Sequence, residues 1–183
     1  MDAEVLRALA KWPGVPDVYD WLSLSRRGDW LLRGEKISHP GFIEYIGRNY
    51  TADKSGAWFF QNGPQRVFAK LDYTPFVYRL RDAQPKPRFE THTGLPVENL
   101  TGAWLDETGS LLLQTEYGIG VVLDRHLNEI ANYLCDEHGN PLADFLSDPA
   151  FFDPGNQRLC IERLHSTEVA ARFGFITEPQ QQM

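Results

Sequence analysis

Ala57-Trp58-Phe59-Phe60-Gln61, Asn62-Gly63-Pro64-Gln65 and Arg66-Val67-Phe68-Ala69-Lys70-Leu71 read as strand, turn and strand, and this hairpin decides the fold class. Asn-Gly is a favoured turn dipeptide because both residues tolerate positive φ, and aromatic and β-branched residues flank it. Asp72-Tyr73-Thr74-Pro75 breaks the second strand and Phe76–Arg81 resumes it. Upstream, Trp21–Ser25, the turn Arg26-Arg27-Gly28-Asp29 and Trp30–Arg33 form another hairpin. A short helix is expected over residues 2–11, capped by Asp2, with Val5, Leu6 and Leu9 on one face. Trp12-Pro13-Gly14-Val15-Pro16 ends it, and His39-Pro40-Gly41 opens a second helix with Phe42, Ile43, Ile46 and Tyr50 on one face.

Further along, Gly118–Leu123 is a strand, and Asp124 caps a helix carrying Leu127, Ile130, Ala131 and Leu134 at helical spacing. His138-Gly139-Asn140-Pro141 is a turn, residues 144–157 an irregular loop with a helical turn, and Leu159–Leu164 a last strand. Ser166 starts a closing helix that Gly174 ends. Strands arrive in consecutive runs rather than in βαβ units, so the expected fold is α+β, mostly antiparallel hairpins with short helices packed on them. Gly-Ala-Trp occurs at 56–58 and at 102–104, followed after four intervening residues by Gly63 and Gly109. That recurrence suggests internal duplication of a strand-turn-strand unit, with Gly28-Asp29-Trp30 and Gly34 as a looser third copy. The corresponding organisation is an N-terminal subdomain over 1–83 and a C-terminal one over 99–183, sharing one core. Residues 84–98, with Pro85, Pro87 and Pro96, form the connector.

The chain has 183 residues, enough for one domain or two small ones that fold without disulfides or metals. With 18 Lys and Arg against 25 Asp and Glu its formal charge is −7, which argues against nucleic-acid binding. The longest basic cluster, Arg79, Arg81, Lys86 and Arg88, is interrupted by Asp82 and two prolines; it is a local patch able to contact an anion. No apolar stretch approaches a membrane span, and the N-terminus MDAEVLRALAKWPG has acids where a signal peptide has a basic region. A cytoplasmic location is expected, with Cys135 and Cys160 as buried thiols rather than a disulfide.

Catalytic signatures are not found: there is no Gly-x-Ser-x-Gly elbow, P-loop or His-Glu-x-x-His pair. Gly118-x-Gly120 lacks the third glycine of a dinucleotide fingerprint and precedes strand formers, so it reads as two glycines easing a strand bend. Cys135-x2-His138 and Cys160-x4-His165 supply four ligands of the type zinc takes, although the first pair lacks the Cys-x2-Cys spacing of common structural sites. Arg66, Arg79 and Arg81 point outward by strand alternation and, with Tyr73, are candidates to hold a carboxylate or phosphate. The five tryptophans read as core.

GDWLLRGEKI, HPGFIEYIGRNY and GAWFFQNGPQRVFAKLDYTPFVYRL, within residues 28–81, resemble an uncharacterised family of proteobacterial proteins of similar length. Phe60–Val67 is the most specific part. The order of a Gly-x-Trp strand, a short helix and a hairpin ending in Asp-x-x-Pro-Phe is also similar to a second uncharacterised family. That resemblance implies a duplicated α+β fold and a role in signal transduction, and it supplies no catalytic residue.

The expectation is therefore a non-catalytic, cytoplasmic binding or protein-interaction module without a cofactor. Its contact surface would be the groove between the subdomains, and its partner a protein or a small anionic ligand, not nucleic acid or a membrane. The aromatic content permits a homodimer. The alternatives are an enzyme with scattered catalytic residues in that cleft, or a domain stabilised by zinc on Cys135, His138, Cys160 and His165.

Overall fold

The computed structural model of the protein describes residues 1–142, 149–155 and 157–181. The fold is α+β, and the chain divides into two compact units: unit 1 is residues 1–75 with the segment from Ala170 onward, and unit 2 is Phe76–Val169.

Unit 1 opens with α1 (Ala3–Lys11). Asp2 precedes it but its carboxylate makes no cap; it instead accepts from Arg48 Nε at 3.2 Å and Asn49 Nδ2 at 3.2 Å. A first meander follows, β1 (Val18–Leu24), β2 (Trp30–Leu32) and β3 (Glu35–Lys36). Then comes α2 (Pro40–Arg48), whose cap is the His39 ring accepting from Phe42 N–H. The second meander is β4 (Tyr50–Ala52), β5 (Trp58–Asn62) and β6 (Gln65–Leu71). The sheet order is β3-β2-β1-β6-β5-β4, joined at its centre by the parallel pair β1 and β6. Alternation puts Phe60, Val67, Ala69, Leu22 and Leu24 on the face that meets α2. There Phe42 and Tyr45 approach Phe60 edge-on at 6.1 and 5.2 Å and Ile46 is fully buried. On the other face Tyr19 stacks on Phe68 at 4.7 Å. The C-terminal segment joins this unit through Ile176 N–H to Gly56 O at 3.0 Å and Leu71 N–H to Thr177 O at 2.8 Å.

Unit 2 starts with the hairpin β7 (Phe76–Asp82) and β8 (Arg88–Thr91). A meander follows, β9 (Leu100–Leu105), β10 (Leu111–Thr115) and β11 (Gly118–Val122), then a helical passage over 124–133 that includes α3 (Leu127–Ile130). A second meander, β12 (Leu134–Cys135), β13 (Ala150–Phe152) and β14 (Leu159–Arg163), ends before α4 (Val169–Phe173). The order is β12-β13-β14-β9-β10-β11-β7-β8, with β14 parallel to β9 and β11 parallel to β7.

One turn recurs. At Ser25, Asp53, Thr91, Asp106 and Asp136, the residue's N–H donates to the carbonyl four residues on, and its own carbonyl accepts from a glycine three residues on. In each case its side-chain oxygen also accepts from the fourth residue's N–H. The five glycines have φ between 78° and 86°, the left-handed region that only glycine enters freely. This is the three-residue hairpin loop with a left-handed last residue, written in sequence as Ser/Thr/Asp-x-x-Gly.

Several expectations need correction. Residues 84–98 are not a connector: Arg88–Thr91 is β8, paired with β7, and Pro85 and Pro87 fall before it, where no ladder hydrogen bond is lost. The division between units falls after Pro75, not near 83. Asp124 leads only short helical turns, because Leu134 is taken into β12. Within 144–157, Ala150–Phe152 form a strand, while residues 144–148 and 156 lie outside the described residues. Most neighbouring strands are antiparallel, as expected, but both sheets are mixed, with the parallel pairs β1 and β6, β7 and β11, and β9 and β14. The two Gly-Ala-Trp copies are not equivalent: Trp58 opens β5, the middle strand of its meander, whereas Gly102–Trp104 lies in β9, the first strand of another. Among the described residues no helix is long and apolar enough to cross a membrane.

Candidate functional site

An open groove is found on each unit. That of unit 2 has a volume of about 760 Å³ and is lined by Arg81, Asp82, Lys86, Arg88, the segment Pro96–Leu100 and Gln157. Its basic wall follows from the chain path. Between Leu80 and Asp82 the β7–β8 register shifts, and the two prolines hold the intervening loop off the ladder with Lys86 between them. Lys86 packs along Gly155, where a Cβ would lie 3.5 Å from its Cε. Arg81 donates to Glu90 at 2.8 Å and Arg88 makes no ion pair among the described residues. Three cations and two acids, Asp82 and Glu98, line this groove in a chain whose formal charge is −7. The side-chain amides of Asn99 and Gln157 add hydrogen-bonding capacity.

The groove of unit 1, about 1030 Å³, holds Arg66. Its guanidinium is already committed to Asp17 through two hydrogen bonds of 2.8 and 2.5 Å, and it lies over the Phe68 ring at 5.3 Å. The Asp17 carboxylate beside it raises the pKa of Arg66. Asp53 lines the same groove, but its Oδ1 accepts from Ser55 and Ala57, bonds that outweigh burial and hold its carboxyl below the usual range.

Of the four expected anion ligands, Arg66 and Tyr73 belong to unit 1 and Arg79 and Arg81 to unit 2. Tyr73 is buried beneath the Arg26 guanidinium, 3.9 Å from its ring. Arg79 is half-buried and its charge bears on His92. Only Arg81 lies in the basic groove, with Lys86 and Arg88, which the sequence displayed as part of one basic cluster.

The four residues matched to zinc are not gathered. Cys135 on β12 and Cys160 on β14 each stand opposite Phe151 of the strand between them. Two strand spacings separate their backbones by about 9.5 Å, whereas thiolates sharing a zinc sit about 2.3 Å from the metal. Cys135 is buried and Cys160 is exposed, not buried as expected. His138 is in the exposed Asp136 turn, and His165 caps the turn Ser166–Glu168 by accepting from Thr167 N–H. Beside it the Glu107 carboxylate accepts from Ser166 N–H at 2.8 Å and Oγ–H at 2.5 Å, which holds its pKa down. Among the described residues no group of three or more His, Cys, Asp or Glu side chains forms a metal site.

No protein of curated function matches the chain. Among solved structures, a DUF1285 family protein from Silicibacter pomeroyi DSS-3 matches with a TM-score of 0.56 and 14% identity, covering 90% of each chain. A DUF1285 family protein from Shewanella baltica OS155 matches with a TM-score of 0.46 and 18% identity, covering 60% of this chain and 92% of that one. The first of these shows a shared fold, in a second uncharacterised family as the resemblance implied. A family model described as "Protein of unknown function (DUF2946)" matches residues 1–180, and the chain belongs to that family, DUF2944.

Proposed function

We propose that the protein is a non-catalytic binding module that takes a small anionic ligand in the groove of unit 2. The observation that carries this reading is the joint lining of that groove by Arg81, Lys86 and Arg88 in an otherwise acidic chain. A volume of about 760 Å³ is within the range of small-molecule sites. Guanidinium groups bind carboxylate and phosphate through paired hydrogen bonds, and lysine adds a compact charge.

The module is further proposed to be a tandem duplication, in a register different from the Gly-Ala-Trp one. Both units contain meander, helical passage and meander, with the first strand parallel to the last. Leu22, Ser23 and Leu24 stand beside Ala69, Lys70 and Leu71 as Ala103, Trp104 and Leu105 stand beside Ile161, Glu162 and Arg163. The next backbone bond is Asp72 N–H to Leu24 O in one and Leu164 N–H to Leu105 O in the other. The Ser25 and Asp106 turns follow in both, and Gln61 N–H to Asn49 O has its counterpart in Asp153 N–H to Tyr133 O. Arg66 then corresponds to Arg158 and Phe59 to Phe151, and each guanidinium lies over its ring, at 5.7 and 4.0 Å. The β7–β8 hairpin, which brings the cations, precedes the repeated part and is where the copies differ.

Calorimetric titration with pyrophosphate and with citrate tests the groove. Binding of one or both is expected, weakening about tenfold or more in the Lys86→Ala/Arg88→Ala double variant and falling with added salt. Lys54→Ala, on unit 1, should leave it unchanged. No binding of either anion, or binding indifferent to the double variant, overturns the reading.

A further inference from the structure

Two consecutive main-chain donors of the segment that lines the basic groove are turned to a carboxylate beside it. Glu98 N–H donates to Glu116 Oε1 at 2.8 Å and Asn99 N–H donates to Glu116 Oε2 at 3.2 Å. Glu98 and Asn99 both line the groove, as does Pro96, whose carbonyl accepts from the Tyr117 hydroxyl at 3.0 Å. The turn between β10 and β11 thus grips the segment Pro96–Asn99 at both ends, through Glu116 and Tyr117. Successive backbone N–H groups aimed at one anion form a receptor that does not discriminate carboxylate from phosphate. The carboxylate now in it comes from an exposed side chain, so it is held by bonds that water also offers and is readily replaced.

We infer that the N–H pair of Glu98 and Asn99, beside the groove, receives the ligand's anionic head, and that Glu116 occupies it as an internal stand-in. The inference rests on the anion-binding reading of the groove and names where the anion docks. Arg81, Lys86 and Arg88 attract the ligand by charge; the two amides orient it. Glu116 competes in two ways, by filling the donors and by adding a negative charge. The ligand class that fits is a di- or polyanion with at least two oxygens on one centre, a phosphate or a carboxylate. Tyr117 keeps the amides in place when Glu116 leaves.

The test is pyrophosphate titration of the wild-type chain, Glu116→Ala and Glu116→Asp, with the Glu98 and Asn99 amides followed by ¹H–¹⁵N spectra. Glu116→Ala should bind about three- to tenfold more tightly, the range expected for removing one exposed set of competing hydrogen bonds. Glu116→Asp, too short to fill the pair but still charged, should fall between the two. Both amides should shift on titration in all three proteins. Binding in the wild type that is unchanged or weaker in both variants, or that leaves both amides unshifted, overturns the inference and leaves the groove standing. Absence of binding in all three proteins overturns the groove reading itself. Because Glu116 is exposed, unchanged thermal unfolding of either variant shows that the comparison is made on folded protein.

Discussion

The ring of Tyr78 occupies the space into which a side chain on Gly120 would grow: a Cβ there would lie 2.5 Å from Tyr78 Cε2 and 2.8 Å from the Phe76 carbonyl oxygen. In the parallel pair β7 and β11, Gly120 stands opposite Phe76 and Tyr78 opposite Val122, so the Tyr78 ring reaches diagonally over Gly120. The Tyr78 hydroxyl is anchored beyond, hydrogen-bonded with Thr115 Oγ1 at 2.7 Å and donating to Gly118 O at 2.8 Å. Burial pushes its phenol far above the ordinary range. Gly120 therefore serves ring packing, in keeping with two glycines that ease a strand.

Gly120→Ala should destabilise the protein by about 1–3 kcal/mol, since neither a hydrogen-bonded ring nor a backbone carbonyl can yield freely. Gly14→Ala, with nothing within 4 Å of the new Cβ, should stay within about 0.5 kcal/mol of wild type. Urea unfolding of both measures the difference. Equal midpoints would mean that β7 and β11 separate at little cost.

His92 gives unit 2 a pH dependence. It is buried, and its Nδ1 accepts the Val77 N–H at 3.3 Å. Burial first and the charge of Arg79 second lower its pKa to about 3. In the unfolded chain the imidazole takes a proton below about 6.5. Between those values the unfolded state binds more protons, so stability is fully present above pH 6.5 and declines as pH falls toward 3. The slope from this group is at most about 1.4 kcal/mol per pH unit. Unfolding free energies at pH 7, 6 and 5 should show the decline, and His92→Asn, which keeps an acceptor for Val77, should flatten it. A slope that persists in His92→Asn assigns the effect elsewhere.

The recurrent turns differ in strength in a way that can be measured. Asp106 is buried, and its Oδ1 accepts from Thr108 N–H at 2.9 Å, Thr108 Oγ–H at 2.7 Å and Ser110 N–H at 2.8 Å. Ser25 Oγ accepts only from Arg27 N–H at 3.3 Å and Asp29 N–H at 3.0 Å. Asp106→Ala leaves the part-buried Thr108 and Ser110 donors without their carboxylate acceptor and should cost about 1.5–3 kcal/mol, against about 0.5–1.5 kcal/mol for Ser25→Ala. Chemical denaturation ranks them, and the reverse order would mean that charge assistance contributes nothing here.

What the sequence made legible was local. The hairpin over 57–71, the helix opened by His39-Pro40-Gly41 and the helical turn from Ser166 each depend on a few neighbouring residues and each appears, although the hairpin turns at Gly63-Pro64, with Asn62 paired to Gln65 in the strands. The three parallel contacts depend on residues far apart in the chain, Leu24 with Leu71 or Leu105 with Arg163, and no local pattern announces them. The proposed duplication does not show in Gly-Ala-Trp, because the Ser25 and Asp106 turns share hydrogen-bond geometry and not side-chain type. Alternation gave the correct outward sense for Arg66 on its strand but not that Asp17 would meet it. Tyr73 lies in a strand-breaking loop and is nevertheless buried, which loop position alone does not reveal. Lys86 and Arg88 stood in the basic cluster, yet only the path imposed by Pro85 and Pro87 puts them beside Arg81 in one groove.

The two cysteines should separate cleanly in reactivity. Cys160 is exposed on β14 and Cys135 is buried on β12, with the Phe151 position of β13 between them. A thiol reacts as its thiolate and only where reagent can reach it. An aromatic disulfide reagent should therefore titrate one thiol per native chain rapidly and the second only after urea is added. Prior dialysis against a chelator should change neither the count nor the unfolding midpoint, because strands two spacings apart hold the sulfurs too far from a common metal. Protection of both thiols that a chelator removes would reverse this and bring the pair together on zinc. Rapid reaction of both without a chelator would mean instead that β12 opens in the native state.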